Sequence, residues 1–159
     1  MKNKVILLVE DNPDDEALTL RAFKRNHISN EVFVARDGVE ALDYLFGTGE
    51  HKGRDISILP QVVLLDLKLP KVDGMEVLKQ VKSDPRTRTI PIVIMTSSKE
   101  ERDLAAGYNL GANSYIQKPV DFDQFRETVK SIGLYWLVIN QPVPVSVMHE
   151  VPKAELISG

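Results

Sequence analysis

Three carboxylates, a lysine and a cluster of hydroxyls stand where apolar runs of this chain stop. Val5-Ile6-Leu7-Leu8-Val9 ends at Glu10-Asp11, Val62-Val63-Leu64-Leu65 at Asp66, Ile92-Val93-Ile94-Met95 at Thr96-Ser97-Ser98, and Tyr115-Ile116-Gln117 at Lys118-Pro119. Carboxylates crowded together repel one another and raise each other's pKa unless a cation neutralises them. A hard, oxygen-rich site with few protein ligands suits Mg²⁺, which keeps several waters at roughly 2.0–2.1 Å. A lysine and a hydroxyl beside such a metal would offset charge on the equatorial oxygens of a phosphoryl group. A carboxylate can act as the nucleophile, giving an acyl phosphate. Asp66, lying between the acidic pair and the lysine, is the natural choice.

For these residues to meet, the apolar runs must lie side by side and point the same way. Runs of four or five aliphatics without alternation predict strands covered on both faces, as in a parallel sheet with helices on each side. In such a sheet all the strand ends project from one edge, where the ligand crevice of open α/β folds lies. The intervening segments read as helices. Asn12 serves as an N-cap, Pro13 takes the first helical position, and the acids Asp14 to Glu16 complement the positive end of a helix that buries Leu18, Ala22 and Phe23. That position at the helix start accounts for Asp14 and Asp15. A weaker strand follows at Glu31 to Ala35, then a helix from Asp37-Gly38 with Ala41, Leu42, Leu45 and Phe46 inward, stopped by Gly47-Thr48-Gly49.

The polar loop Glu50 to Asp55 is long for an α/β connection and carries no chemistry of its own. Beyond Asp66, the turn Leu69 to Gly74 leads to a helix that buries Val77, Leu78 and Val81 and ends at Ser83-Asp84-Pro85. A short helix through Leu104 to Tyr108 is closed by Gly111. The last helix starts near Asp121, with Phe122, Phe125, Val129, Ile132 and Trp136 on one face. Five strands alternating with five helices predict a doubly wound α/β architecture.

Composition narrows the function classes. At 159 residues with 43% hydrophobic content the chain suits one domain, expected over residues 1–139, and the proline-interleaved residues 140–159 read as an extended or disordered tail. A net charge of -3 argues against a nucleic-acid partner. Without cysteine, an apolar stretch of membrane-spanning length or a cleavable leader, the expected compartment is the cytoplasm. His27, His51 and His149 show no metal-ligand spacing and read as surface residues.

Val9-Glu10-Asp11-Asn12, the stretch Leu64 to Gly74 around Asp66, Met95-Thr96-Ser97 and Tyr115 to Pro119 together resemble the receiver domain of two-component response regulators, over roughly residues 3–138. The resemblance implies the flavodoxin-like strand order 2-1-3-4-5 among doubly wound folds. It further implies Asp66 as phosphoacceptor, Asp11 and Asp66 as direct metal ligands with the Lys68 backbone carbonyl, and Glu10 as an outer ligand through water. Thr96 is implied as the switch hydroxyl, Tyr115 as the switch aromatic, and Lys118 as the lysine that pairs with the phosphoryl group, with a cis Lys118-Pro119 bond. The implied partner is a phosphodonor histidine kinase. The 50–55 loop, the Tyr135-Trp136-Leu137 run and the tail resemble stand-alone regulators associated with bacterial phytochrome-type kinases.

Several other readings compete. An aspartate-nucleophile phosphatase resembles its relatives in carrying a second carboxylate two residues after the nucleophile, where this chain has Lys68. A flavin module would need the loop after the first strand to cradle a phosphate, and Glu10 to Asp15 would repel it. A P-loop enzyme needs a glycine-rich GxxxxGK[ST] loop, which the sequence lacks. A receiver-like binding module independent of phosphorylation stays open. No external turnover is expected beyond Mg-dependent phosphorylation and dephosphorylation of Asp66 itself. No output domain fits after residue 140, so the signal is expected to leave through protein contacts. Leu134, Tyr135, Leu137, Val138 and Ile139 make the end of the last helix apolar nearly all round, which predicts a homodimer through that region.

Overall fold

Along each central strand, successive side chains enter two different apolar layers. In the computed structural model, which describes residues 5–100, 103 and 109–131, Ile6 and Leu8 of β1 (Val5–Val9) join one layer and Leu7 and Val9 the other. The strand β3 (Val62–Asp66) divides the same way, with Val62 and Leu64 on one side and Val63 and Leu65 on the other. Two-sided burial is why neither run alternates in sequence. The edge strands β2 (Glu31–Ala35) and β5 (Ser114–Gln117) are only partly covered and have more polar sequences, while β4 (Ile92–Thr96) is buried throughout. All pairings are parallel, in the order β2-β1-β3-β4-β5. The order matches the expected flavodoxin-like topology.

Helices cover both faces. Ala22 and Phe23 of α1 (Pro13–Arg25) and Phe125 and Val129 of the last helix, α4 (Phe122–Ser131), close one layer, with the rings of Phe23 and Phe125 4.8 Å apart. Buried Asn26 links the two helices, its Nδ2 donating to Ala22 O at 2.8 Å and Phe122 O at 3.3 Å. Ala41 and Leu45 of α2 (Gly38–Phe46) and Val77, Leu78 and Val81 of α3 (Gly74–Ser83) close the other layer. The expected caps are in place: Asn12 accepts from the backbone N–H of Asp14 and Asp15, Asp37 from that of Glu40, and Gly47 ends α2 in the left-handed region at φ 65°.

The described residues hold four α-helices. The expected helix through Leu104 to Tyr108 lies outside them, as do Ile132, Trp136, the apolar residues 134–139 and the tail. Two local readings are corrected. Thr19, not Leu18, is the buried residue of α1 between Asp15 and Ala22, because its hydroxyl can bond the Asp15 carbonyl at 2.8 Å and need not reach water. His51 is half-buried, not a surface residue. Its ring sits edge-on to Phe33 and Tyr44, which are stacked on each other 4.3 Å apart. His27 is exposed as expected, and His149 lies outside the described residues.

The loop after α2 also has a structure the sequence did not announce. Following a 3₁₀ turn at Gly49–His51, Arg54 folds back over the Tyr44 ring, 4.2 Å from its centroid. Its guanidinium donates to the carbonyl oxygens of Tyr44 at 2.5 Å, Ile58 at 3.1 Å, Asp55 at 3.3 Å and Leu45 at 3.4 Å. One side chain thereby ties carbonyls at the end of α2 to the part of the loop that follows Arg54.

Candidate functional site

Strand register brings the reactive side chains together. Val9 lies opposite Leu65, Asp66 opposite Met95 and Thr96 opposite Gln117, so the residues that follow each pairing emerge at one edge. Two further bonds continue the ladder past the strand ends, from the Glu10 N–H to Ala35 O at 2.9 Å and from the Lys118 N–H to Thr96 O at 3.0 Å. The start of α3 is drawn tight against the end of β3 by a bond from the Gly74 N–H to Leu67 O at 2.9 Å. Only glycine permits this approach. A Cβ at position 74 would stand 2.2 Å from the Asp66 carbonyl oxygen and 2.6 Å from Leu67 Cα.

Glu10 and Asp66 are buried, Asp11 is exposed, and carboxylate oxygens of all three lie within 4.8 Å of one another. Lys118 reaches into this cluster. Its Nζ stands 2.9 Å from Asp66 Oδ2, 3.2 Å from Glu10 Oε2 and 2.8 Å from Asp15 Oδ2. Burial would lower the Lys118 pKa, but its bonds to Asp15, Asp66 and Glu10 outweigh burial and hold it above the ordinary lysine value. The Glu10 pKa is raised as well, which for an acid favours the neutral form. Burial first, then its hydrogen bond to Asp66 and the charge there, push Glu10 up to about 8 against the opposing pull of Lys118. Without a cation, burial beside Asp66 therefore favours the neutral form of Glu10.

The remaining polar groups hold Asp66 and its neighbours in position. Asp66 Oδ1 accepts from the Lys68 N–H at 3.1 Å, and Glu10 Oε2 accepts from the Asn12 N–H at 3.2 Å. Thr96, buried at the end of the neighbouring strand, accepts through Oγ1 from the Ser98 N–H at 3.0 Å. Tyr115 is half-buried in the layer covered by α2 and α3, opposite Ile94 in register. The Lys118-Pro119 bond is cis, as expected. A groove of about 530 Å³ opens beside Asp11, lined by Leu67, Lys68, Leu69, Pro70, Asp73 and Met75.

The donor set fits a hard divalent cation. Glu10 Oε1 is buried and accepts no hydrogen bond, although Lys118 Nζ lies 3.0 Å away as an ion pair. A buried carboxylate oxygen without a donor is costly, and a cation between Glu10, Asp11 and Asp66 would satisfy it. Glu10, Asp11, Asp66 and Lys118, expected at one edge, meet there directly. Asp15, expected only at the start of α1, joins them through Lys118. Asp15 sits in the first turn of α1 beside Asp14, and the sequence carries no signal that separates the two.

Residues 6–130 match the family model described as the response regulator receiver domain. The chain belongs to that family. As a receiver-domain response regulator it is 47% identical over 137 residues to the probable methanogenesis regulatory protein FilR2 of Methanothrix harundinacea, with 86% of each chain covered. It is 40% identical over 134 residues to the response regulator Rcp1 of Synechocystis, covering 84% of this chain and 89% of Rcp1. The receiver fold superposes on the bacteriophytochrome response regulator RtBRR with a TM-score of 0.81 at 47% identity, over 98% of this chain and 94% of that one. A Mn²⁺-bound form of Rcp1 superposes with a TM-score of 0.68 at 38% identity, over 89% of this chain and 99% of that one. Among the described residues, no helix is long and apolar enough to cross a membrane.

Proposed function

We propose that this receiver accepts a phosphoryl group on Asp66 from a histidine kinase, with Mg²⁺ as cofactor, and signals through an altered protein-contact surface. One observation carries the reading. The Asp66 carboxylate is buried, held at one oxygen by the Lys68 N–H and at the other by the Lys118 ammonium, and flanked by Glu10 and Asp11. Glu10, Asp11 and Asp66 would hold Mg²⁺ with the Lys68 carbonyl, and the ion would supply positive charge beside the transferred group. In this site Asp66 provides the attacking oxygen, forming a bond to phosphorus as the donor's bond to phosphorus breaks. Lys118 balances charge on the phosphoryl oxygens.

Thr96 and Tyr115 would relay the change. Thr96 ends the strand next to Asp66, so a phosphoryl oxygen that recruits its hydroxyl would draw it from Ser98 and alter the packing of Tyr115 one strand further on. The similarity to RtBRR supports a kinase of the phytochrome type as donor. The cysteine-free composition suits work in the cytoplasm. No turnover of an external substrate is proposed beyond the phosphorylation cycle of Asp66. The apolar residues 134–139 support output through self-association.

The test is to treat wild type and Asp66→Asn with a small acyl-phosphate donor and Mg²⁺ and weigh the intact proteins. Wild type should gain one phosphoryl group, with nuclear magnetic resonance shifts at Thr96 and Tyr115, and Asp66→Asn should show neither. Equal labelling of both proteins removes Asp66 from the role.

A further inference from the structure

The shortest of the Lys118 contacts is made by a residue that the metal and phosphoacceptor roles leave unused. An ammonium has three N–H donors, and Lys118 Nζ stands 2.9 Å from Asp66, 3.0 Å from Glu10 and 2.8 Å from Asp15. Asp15 differs from the other two in its setting. Its side chain is 26% exposed, against 6% for Asp66 and 0% for Glu10, so it grips the ammonium from the solvent side. It is also fixed at its base. The Asp15 N–H donates to the Asn12 side chain at 3.1 Å, and its carbonyl accepts from the Thr19 hydroxyl at 2.8 Å.

We propose that Asp15 is a positioning residue that tethers the Lys118 ammonium and limits how much of its charge and how many of its donors face Asp66. This rests on the reading of Asp66 as phosphoacceptor. Once a phosphoryl group stands on Asp66 and a cation occupies the carboxylates, Lys118 must give donors to phosphoryl oxygens, and Asp15 competes for one of them. A charge-assisted bond of this kind is strong enough to matter. The same ion pair screens the bound cation from the ammonium. Without the Asp15 charge, Lys118 should hold the phosphoryl group more tightly and repel the cation more strongly. The acyl phosphate, which water hydrolyses by attacking phosphorus and releasing the Asp66 carboxylate and inorganic phosphate, should then persist longer.

Asp15→Asn is compared with Asp14→Asn, which makes the same charge change one residue away. Asp14 is exposed, and its N–H shares the Asn12 cap. Three readouts apply: the Lys118 ammonium signal in ¹H–¹⁵N spectra of the metal-free protein, the dissociation constant for Mn²⁺ alone, and the lifetime of the phosphorylated form made with a small acyl phosphate. In Asp15→Asn the ammonium protons should exchange faster with water, while Mn²⁺ affinity falls and the lifetime rises, each by about three- to tenfold. Asp14→Asn should change both constants less than twofold, roughly the effect of a screened surface charge. Asp15→Glu should restore most of the wild-type behaviour.

Equal effects of Asp14→Asn and Asp15→Asn would overturn the tether in favour of general electrostatics, and an inert Asp15→Asn would leave Asp15 with only its place at the start of α1. If Asp15→Asn fails to fold, Asp15→Ser takes its place, and wild-type ammonium exchange and Mn²⁺ affinity in that variant overturn the tether. The ammonium and Mn²⁺ measurements need no phosphoryl group. They decide the role of Asp15 even if Asp66 proves unreactive, which would instead sink the proposed function.

Discussion

Glu10→Gln should change how stability depends on pH in the metal-free protein. Burial and Asp66 push Glu10 up to about 8 from an ordinary value of 4.5. Between these values the folded protein keeps a proton that the unfolded chain has released. Stability from this group is therefore full below the unfolded value and is lost as pH rises through the folded one. The limiting slope is about 1.4 kcal/mol per pH unit, a ceiling of about 5 kcal/mol over the whole interval. Lys118 takes up part of the charge as Glu10 ionises, so a loss of about 2–3 kcal/mol is the working expectation. Lys118 itself adds no tilt here, because its raised pKa only matters above its ordinary value of 10.5.

Gln keeps the size of Glu10 and removes the titration. Urea unfolding with a chelator, across pH values from about 5 to about 9, should show Glu10→Gln gaining on wild type steadily as pH rises. Excess Mg²⁺ should flatten the wild-type profile, since a bound cation takes the place of the proton. Parallel profiles for the two proteins without metal would refute the reasoning, because Glu10 would then carry the same charge folded and unfolded.

Gly74→Ala should cost about 1–3 kcal/mol and slow phosphorylation of Asp66, since its Cβ would meet backbone atoms of Asp66 and Leu67. Urea unfolding with unchanged stability would count against the close approach. Arg54→Ala should lower stability by about 1–3 kcal/mol and expose the segment between Gly47 and Pro60 to proteolysis, because one side chain ties two carbonyls of that segment to two of α2; an equally resistant variant means the loop holds itself. Sedimentation at micromolar concentration should show a dimer that a Tyr135→Asp, Leu137→Asp variant loses. A monomer with and without phosphate rules out self-association.

The central strands were legible because two-sided burial leaves no room for polar residues, so β1, β3 and β4 appear as unbroken runs. The site was legible for a related reason. A charged residue placed directly after such a run has only the sheet edge to occupy, and Glu10, Asp66 and Lys118 each do so. What stayed hidden depends on side-chain reach. Nothing in the sequence separates Asp15, which turns toward Lys118, from Asp14, which faces solvent, since both satisfy the start of α1 equally well. Arg54 in a polar loop looks like any solvated cation until Tyr44 is known to lie beneath it. Thr19 reads as a surface residue because hydrophobicity patterns do not register a hydroxyl satisfied by its own helix. The raised pKa of Glu10 belongs to the assembled cluster alone.

The sheet order has a bearing on the birth of the protein as well. Glu10 and Lys118 are 108 residues apart, yet they meet across the same edge. During synthesis the three carboxylates emerge from the ribosome long before the lysine that pairs with them, and β1 must wait for β3 to flank it on its second side. A half-made chain therefore displays the acidic residues without the ammonium. The Asp66 carboxylate then lacks its ammonium partner, and the four-residue cluster is complete only when β5 has been added to the far edge and Lys118 follows it.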